Sequence, residues 1–123
     1  MARILFVDDD PYTLEALGKA VEVFGHQAVW AKDGKEAIAI ATAGECTLDI
    51  VFVDMSLPDI DGLDLVSRLR DIPELSSTPM MVLSANPAVD AADLARKAGA
   101  QAYLNKPVRL QTLLDTIHTY TTT

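Results

Sequence analysis

The sequence predicts an open α/β sheet with helices on both faces. Three observations predict it: short unbroken apolar runs recur along the chain, each ends at a polar or acidic residue, and stretches of helical spacing separate them. Strands buried on both faces of a parallel sheet read as continuous apolar runs, and parallel neighbours need a crossover helix between them. Strict alternation therefore implies five strand-helix pairs joined by right-handed crossovers. At 123 residues, half of them hydrophobic, the chain suits one such domain.

Ile4-Leu5-Phe6-Val7 is the first strand and ends at Asp8-Asp9-Asp10. Asp10-Pro11 opens the first helix, because Asp accepts free amide hydrogens as N-cap and Pro is preorganised at the first helical position. Leu14, Leu17, Val21 and Phe24 form its apolar stripe, and Gly25 stops it. Gln27 to Ala31 is a weaker strand, suited to a sheet edge. Ala37, Ile38 and Ala41 mark the second helix; Ile50-Val51-Phe52-Val53 is the third strand and ends at Asp54. Leu63, Val66 and Leu69 mark the third helix, and Met80-Met81-Val82-Leu83 runs to Ser84. Ala92, Ala95 and Ala98 give a fourth helix with a thin apolar face. Ala102-Tyr103-Leu104-Asn105 ends at Lys106, and Leu110, Leu113, Leu114 and Ile117 mark the fifth helix. The single domain is expected to span 1–123, with a frayed tail over 120–123.

Eighteen acids against ten Lys and Arg give a net charge of -8, which repels nucleic-acid phosphates and anionic membrane surfaces. Direct nucleic-acid or membrane binding is not expected. No apolar run reaches the roughly 18 residues of a membrane span. The start, Met1-Ala2-Arg3-Ile4-Leu5, meets acids by Asp8 and is unlike a signal peptide, so a cytoplasmic protein is expected. Cys46 has no second cysteine for a disulfide or metal site and reads as a small filler. His26 and His118 stand apart from the acids and read as structural.

Ligands of open parallel sheets bind outside the carboxyl ends of the strands, near the point where strand order reverses. Asp8, Asp9, Asp54, Ser84 and Lys106 all occupy such ends, and a sheet ordered 2-1-3-4-5 would set them on four contiguous strands. An isolated acidic triplet is most often a solvated loop with one helix cap. Convergence with Asp54 shifts that balance. Two carboxylates about 4 Å apart repel by roughly 4 kcal/mol at an effective dielectric near 20, so a crowded set needs a raised pKa, a cation or intervening solvent. A few carboxylate oxygens with open positions are what Mg²⁺ uses, and a divalent metal site is inferred.

Four segments carry more. Ile4-Leu5-Phe6-Val7-Asp8-Asp9-Asp10, Asp54-Met55-Ser56-Leu57-Pro58-Asp59-Ile60-Asp61-Gly62, Leu83-Ser84-Ala85, and Gly99-Ala100 followed by Ala102-Tyr103-Leu104-Asn105-Lys106-Pro107 stand in order. Together they resemble the receiver domains of two-component response regulators, such as the single-domain chemotaxis and sporulation regulators. Each segment alone is weak; all four at the family's spacing are very specific, and the resemblance covers essentially the whole chain. It implies a flavodoxin-like, doubly wound fold with strand order 2-1-3-4-5 and five helices on two faces.

By the same resemblance Asp54 is the phosphoacceptor, loaded from a phosphohistidine on a sensor histidine kinase or histidine phosphotransfer protein. Asp9 and Asp54 would bind Mg²⁺ directly with the backbone carbonyl of Ser56, while Asp8 would act through a metal-bound water; Mn²⁺ would also serve. Lys106 would neutralise the phosphoryl group, and the family holds its bond to Pro107 cis. Ser84 would donate its hydroxyl to a phosphoryl oxygen, with Tyr103 as the aromatic switch behind it. For Tyr103 a half-buried strand aromatic with its hydroxyl in water stands as an alternative of nearly equal weight. Ser56 and Asn86 occupy the positions that tune phosphate lifetime. Asp59 and Asp61 read as solvating the turn that Gly62 permits. Val108 departs from the family, where an aromatic often follows Lys-Pro, and this weakens any inference of dimerisation; a monomer or weak dimer is expected.

The expected function is a phosphorylation-dependent switch that catalyses its own phosphorylation and slow dephosphorylation but turns over no separate substrate. Because the chain ends soon after the fifth helix, output through contact with a downstream protein is expected. The face from Ala88 to Ala98 with Tyr103 and the last helix would serve output, and the first helix from Thr13 to Leu17 would dock the phosphodonor. A receiver cut from a longer regulator or hybrid kinase is the alternative within the class. An aspartyl-phosphate phosphohydrolase would use the Asp-x-Asp spacing of Asp8 to Asp10, but Tyr12 replaces the expected Thr or Val and there is no room for a substrate-selecting cap. A flavin-binding module fails on electrostatics, since its first loop should offer hydroxyls and amides to phosphate.

Overall fold

A computed structural model describes residues 2–44, 47–85 and 91–121. Cys46, Asn86, Ala88 and the tail residues Thr122 and Thr123 lie outside the described residues. The elements alternate as the apolar runs predict: β1 (Arg3–Val7), α1 (Pro11–Val23), β2 (Gln27–Ala31), α2 (Gly34–Ala43), β3 (Ile50–Asp54), α3 (Gly62–Arg70), β4 (Met80–Ser84), α4 (Ala91–Ala98), β5 (Ala102–Asn105) and α5 (Leu110–Thr121). A 3-10 turn at Pro73–Leu75 joins α3 to β4. The strands form one sheet in the order β2-β1-β3-β4-β5, every pair parallel. β2 is the edge, as its weak pattern implies.

Because side chains alternate along a strand, each central strand feeds two cores. Leu5, Val7, Val51, Val53, Met80 and Val82 pack under α2, α3 and α4. Ile4, Phe6, Ile50, Phe52, Met81 and Leu83 pack under α1 and α5, where the Phe6 and Phe52 rings stack at 5.4 Å between centroids. This double burial is why the runs are unbroken, and it holds the strand ends in fixed register: Val7 is level with Val53, and Ser84 with Asn105.

The helices differ from the periodic reading in detail. Leu14 and Val21 are buried, but Phe24 is the C-cap of α1 and 56% exposed, because the apolar spacing runs past the end of the helix. Leu110 is likewise exposed at the start of α5, leaving Leu113 and Ile117 as its buried pair. In α3 the buried stripe is Leu65, Val66 and Leu69, with Leu63 only half-buried. α5 continues through Tyr120 and Thr121, which were expected to fray. At the β2 edge the Trp30 indole lies on α1 over Gly18, where a methyl group would come within 2.6 Å of the ring.

Arg70 was not singled out by sequence. Its guanidinium donates to the carbonyls of Leu75 at 2.8 Å, Thr78 at 2.8 Å and Gly99 at 2.7 Å, and to Gln101 Oε1 at 3.1 Å. Gln101 Oε1 also accepts the amide of Met80. One side chain thus fastens the end of α3 to the turns that enter β4 and β5. Arg70→Met leaves several carbonyls without their charged donor, and a loss of about 2 kcal/mol is expected from urea unfolding. A change below about 0.5 kcal/mol would mean that water replaces the guanidinium without penalty.

Candidate functional site

Register brings the strand-end acids together. Asp8 and Asp54 each stand one residue beyond the level pair Val7 and Val53 on adjacent strands, so their side chains leave the sheet side by side. Asp8 is only 2% exposed and Asp54 5%, while Asp9 is exposed. Carboxylate oxygens of Asp8, Asp9 and Asp54 all lie within 4.8 Å of one another.

Lys106 arrives from β5. Its amide donates to the Ser84 carbonyl at 2.9 Å, which extends the β4-β5 pairing by one step, and its peptide bond to Pro107 is cis. The ammonium lies 2.9 Å from Asp8 Oδ2 and 3.3 Å from Asp54 Oδ2, with 22% of the side chain exposed. The other oxygen of each acid is held by backbone. Asp8 Oδ1 accepts the Asp10 amide at 3.0 Å, and Asp54 Oδ1 accepts the Ser56 amide at 3.3 Å.

Charge remains unbalanced. Burial pushes the Asp54 carboxyl above its ordinary value, and the charge of Asp8 adds to that; Lys106 and the Ser56 amide offset only part of it. Burial alone would lower the Lys106 ammonium, but its hydrogen bond to Asp8 and the charges of Asp54 and Asp8 outweigh burial and raise it. Three carboxylates against one ammonium leave an excess of negative charge, presented by hard oxygen donors in a partly open mouth. Such a donor set fits a small divalent cation of the Mg²⁺ or Ca²⁺ type.

The loop after Asp54 closes on itself. Ser56 and Asp61 form an antiparallel bridge, and the Gly62 amide donates to the Met55 carbonyl at 3.0 Å. A Cβ at Gly62 would sit 2.5 Å from the Asp54 carbonyl oxygen, so glycine is required here for close approach of the chain to the acid. Asp59 and Asp61 do more than solvate this turn. Asp61 caps α3 through the Leu63 amide, and Asp59 reaches across to accept the amides of Gly34 and Lys35 at the start of α2. Their partners are backbone amides, which carry no mark in a sequence.

Ser84 is buried at the end of β4, level with Asn105. Tyr103 packs into the core under α2, α3 and α4, and its hydroxyl is buried with no hydrogen-bond partner among the described residues. The alternative reading of Tyr103, with its hydroxyl in water, therefore does not hold. Asn86 lies outside the described residues. His26 is structural, its Nδ1 accepting the Ala2 amide at 3.0 Å. Beside the acids, a cavity of about 450 Å³ opens between α1 and the segment after β5, lined by Asp10, Thr13, Leu17, Leu83, Lys106 and Val108.

A sequence model described as the response regulator receiver domain matches residues 4–118. Protein PilH of Pseudomonas aeruginosa is 33% identical over 118 residues, which cover 96% of each chain. Among solved structures, the chemotaxis protein CheY4 of Vibrio cholerae superposes with a TM-score of 0.90 at 27% identity, covering 98% of both chains. A response regulator protein from Burkholderia pseudomallei, solved with a phosphorylated aspartic acid, a calcium ion and citrate, is similar at a TM-score of 0.84 and 26% identity, covering 95% of this chain and 66% of that one.

The raised Asp54 carboxyl makes a stability prediction. Above its ordinary value of 3.8 the folded state holds this proton more tightly than the unfolded chain, so ionisation at rising pH costs the folded state. Without divalent metal, Asp54→Asn is expected to raise the thermal midpoint at pH 7, and to raise it less near pH 4. An equal or lower midpoint at pH 7 would mean that Lys106 compensates the buried charge in full.

Proposed function

Because the chain belongs to the response regulator receiver domain family, whose members are phosphoacceptor signalling proteins, we propose that it is a phosphorylation-dependent switch with Asp54 as its phosphoacceptor. The observation that supports this most is the Lys106 ammonium held between Asp8 and Asp54 within a mouth of converging oxygens. No helix among the described residues is long and apolar enough to cross a membrane.

On this reading an Asp54 oxygen attacks the phosphorus of a partner's phosphohistidine in line. The new P–O bond forms as the P–N bond breaks, and the imidazole keeps the electron pair and takes up a proton. Asp8, Asp9, Asp54 and the Ser56 carbonyl would hold Mg²⁺, with Mn²⁺ as a substitute. The metal would supply charge neutralisation for the acceptor and the transferring oxygens. Lys106, already within reach of Asp54, pairs with the phosphoryl group, and the Ser84 hydroxyl donates to it. Tyr103 serves as the aromatic switch, with Ser56 and Asn86 setting phosphate lifetime.

The cavity beside α1 is lined by Thr13, Leu17 and Lys106 and would seat part of the phosphodonor; the partner is a sensor histidine kinase or histidine phosphotransfer protein docking near Thr13 to Leu17. Output passes to a downstream protein through the α4, β5 and α5 face. The single domain spans 1–123.

Intact mass after incubation with acetyl phosphate tests the acceptor. One phosphoryl adduct is expected with Mg²⁺ and none after chelation or in Asp54→Asn; Lys106→Ala should still label but more slowly. Equal labelling of Asp54→Asn and the parent would overturn the assignment.

A further inference from the structure

Asp59 lies outside the acid cluster, on the loop that follows Asp54. We propose that it is a positioning residue, tying the loop that follows Asp54 and carries Ser56 to the first turn of α2 and thereby coupling metal occupancy at the acids to the order of that turn. The proposal rests on the reading of Asp8, Asp9, Asp54 and Ser56 as metal ligands.

The geometry is two-sided. At its base the loop is closed by the Ser56–Asp61 bridge and the Gly62 to Met55 bond. Its tip is fastened elsewhere: Asp59 Oδ1 accepts the Gly34 amide at 2.9 Å and Oδ2 accepts the Lys35 amide at 2.9 Å. Asp33, the N-cap of α2, takes the next amide, that of Glu36, at 2.8 Å. The first three free amides of the helix are thus shared between its own cap and a carboxylate 25 residues away. A carboxylate facing a helix start is favoured both by charge-assisted bonds and by the helix dipole.

Packing repeats the link. Ile60, next to Asp59, lies so close to Gly34 that an added Cβ there would meet its Cγ2 at 2.2 Å. The Ser56 carbonyl that would face the metal belongs to a loop pinned at both base and tip. Anything that fixes this carbonyl also fixes the start of α2, and linkage makes the effect reciprocal.

The test is titration of Mg²⁺ alone into ¹⁵N-labelled protein, reading both the dissociation constant and the Gly34 and Lys35 amide signals. In the parent those two amides are expected to shift in step with saturation. In Asp59→Ala they should lose the Mg²⁺ response, and the dissociation constant should rise by up to about fivefold, the limit set by one whole cap. Gly34→Ala strains the same contact from the helix side and should raise the constant comparably, whereas Asp59→Asn, which keeps an acceptor oxygen, should recover part of the loss. Gly18→Ala strains α1 under Trp30 at the sheet edge and should lower the unfolding midpoint without changing Mg²⁺ affinity. A parent that binds Mg²⁺ no better than Asp59→Ala overturns the coupling alone. A parent that binds no Mg²⁺ overturns the metal reading and the coupling with it.

Discussion

Two buried carboxylates on neighbouring parallel strands share one ammonium, and most of the molecule serves to hold them there. Asp8 and Asp54 would separate if their strands could slip, since like charges about 4 Å apart repel by roughly 4 kcal/mol at the dielectric of a protein rim. They cannot slip, because the residues just below them, Val7 and Val53, are level in the sheet and buried in the core under α2 and α3. A slip of one residue would turn every side chain of the strand to the opposite core. The hydrophobic cores therefore act on the site through register.

The same residue type does two jobs, and neighbourhood separates them. Asp10, Asp33 and Asp61 cap helices, each with an oxygen on a first-turn amide. Their charge is spread over backbone donors and the helix dipole, so nothing further is needed to balance it. Asp8 and Asp54 also touch one backbone amide each, but share their remaining oxygens with Lys106 and face one another. With Asp9 beside them, they keep a demand for positive charge that Lys106 alone does not meet, and that demand is the chemical capacity of the site.

What the sequence made legible follows from how far a local pattern determines its partner. Strands buried on both faces announce themselves, because both neighbours of every residue are apolar. Once their order is set, the convergence of Asp8, Asp54 and Lys106 needs only the rule that sites lie at strand ends. Phe24 misleads because periodicity does not mark where the helix stops. Arg70 and Asp59 stay hidden for a different reason: their partners are backbone carbonyls and amides on remote segments, present at every residue alike. Gly62 was legible as a turn residue, but its φ is not positive; its role is to let the chain pass the Asp54 carbonyl.

Lys106 is the member of the cluster able to change partners. Asp8 and Asp54 leave rigid strand ends, whereas the ammonium rides on four methylenes and is partly exposed at the mouth. It now lies nearer Asp8 than Asp54. On the proposed reading, phosphorylation of Asp54 to an acyl phosphate would replace a single carboxylate charge with phosphoryl oxygens of greater charge farther out from the sheet. The ammonium would then lean toward the new oxygens and away from Asp8. Because its amide also closes the β4-β5 ladder at Ser84, that change would be felt first by the strand end carrying the Ser84 hydroxyl. A switch built this way needs no large motion at the acids, only a differential contact that favours one of two arrangements of the neighbouring strand ends.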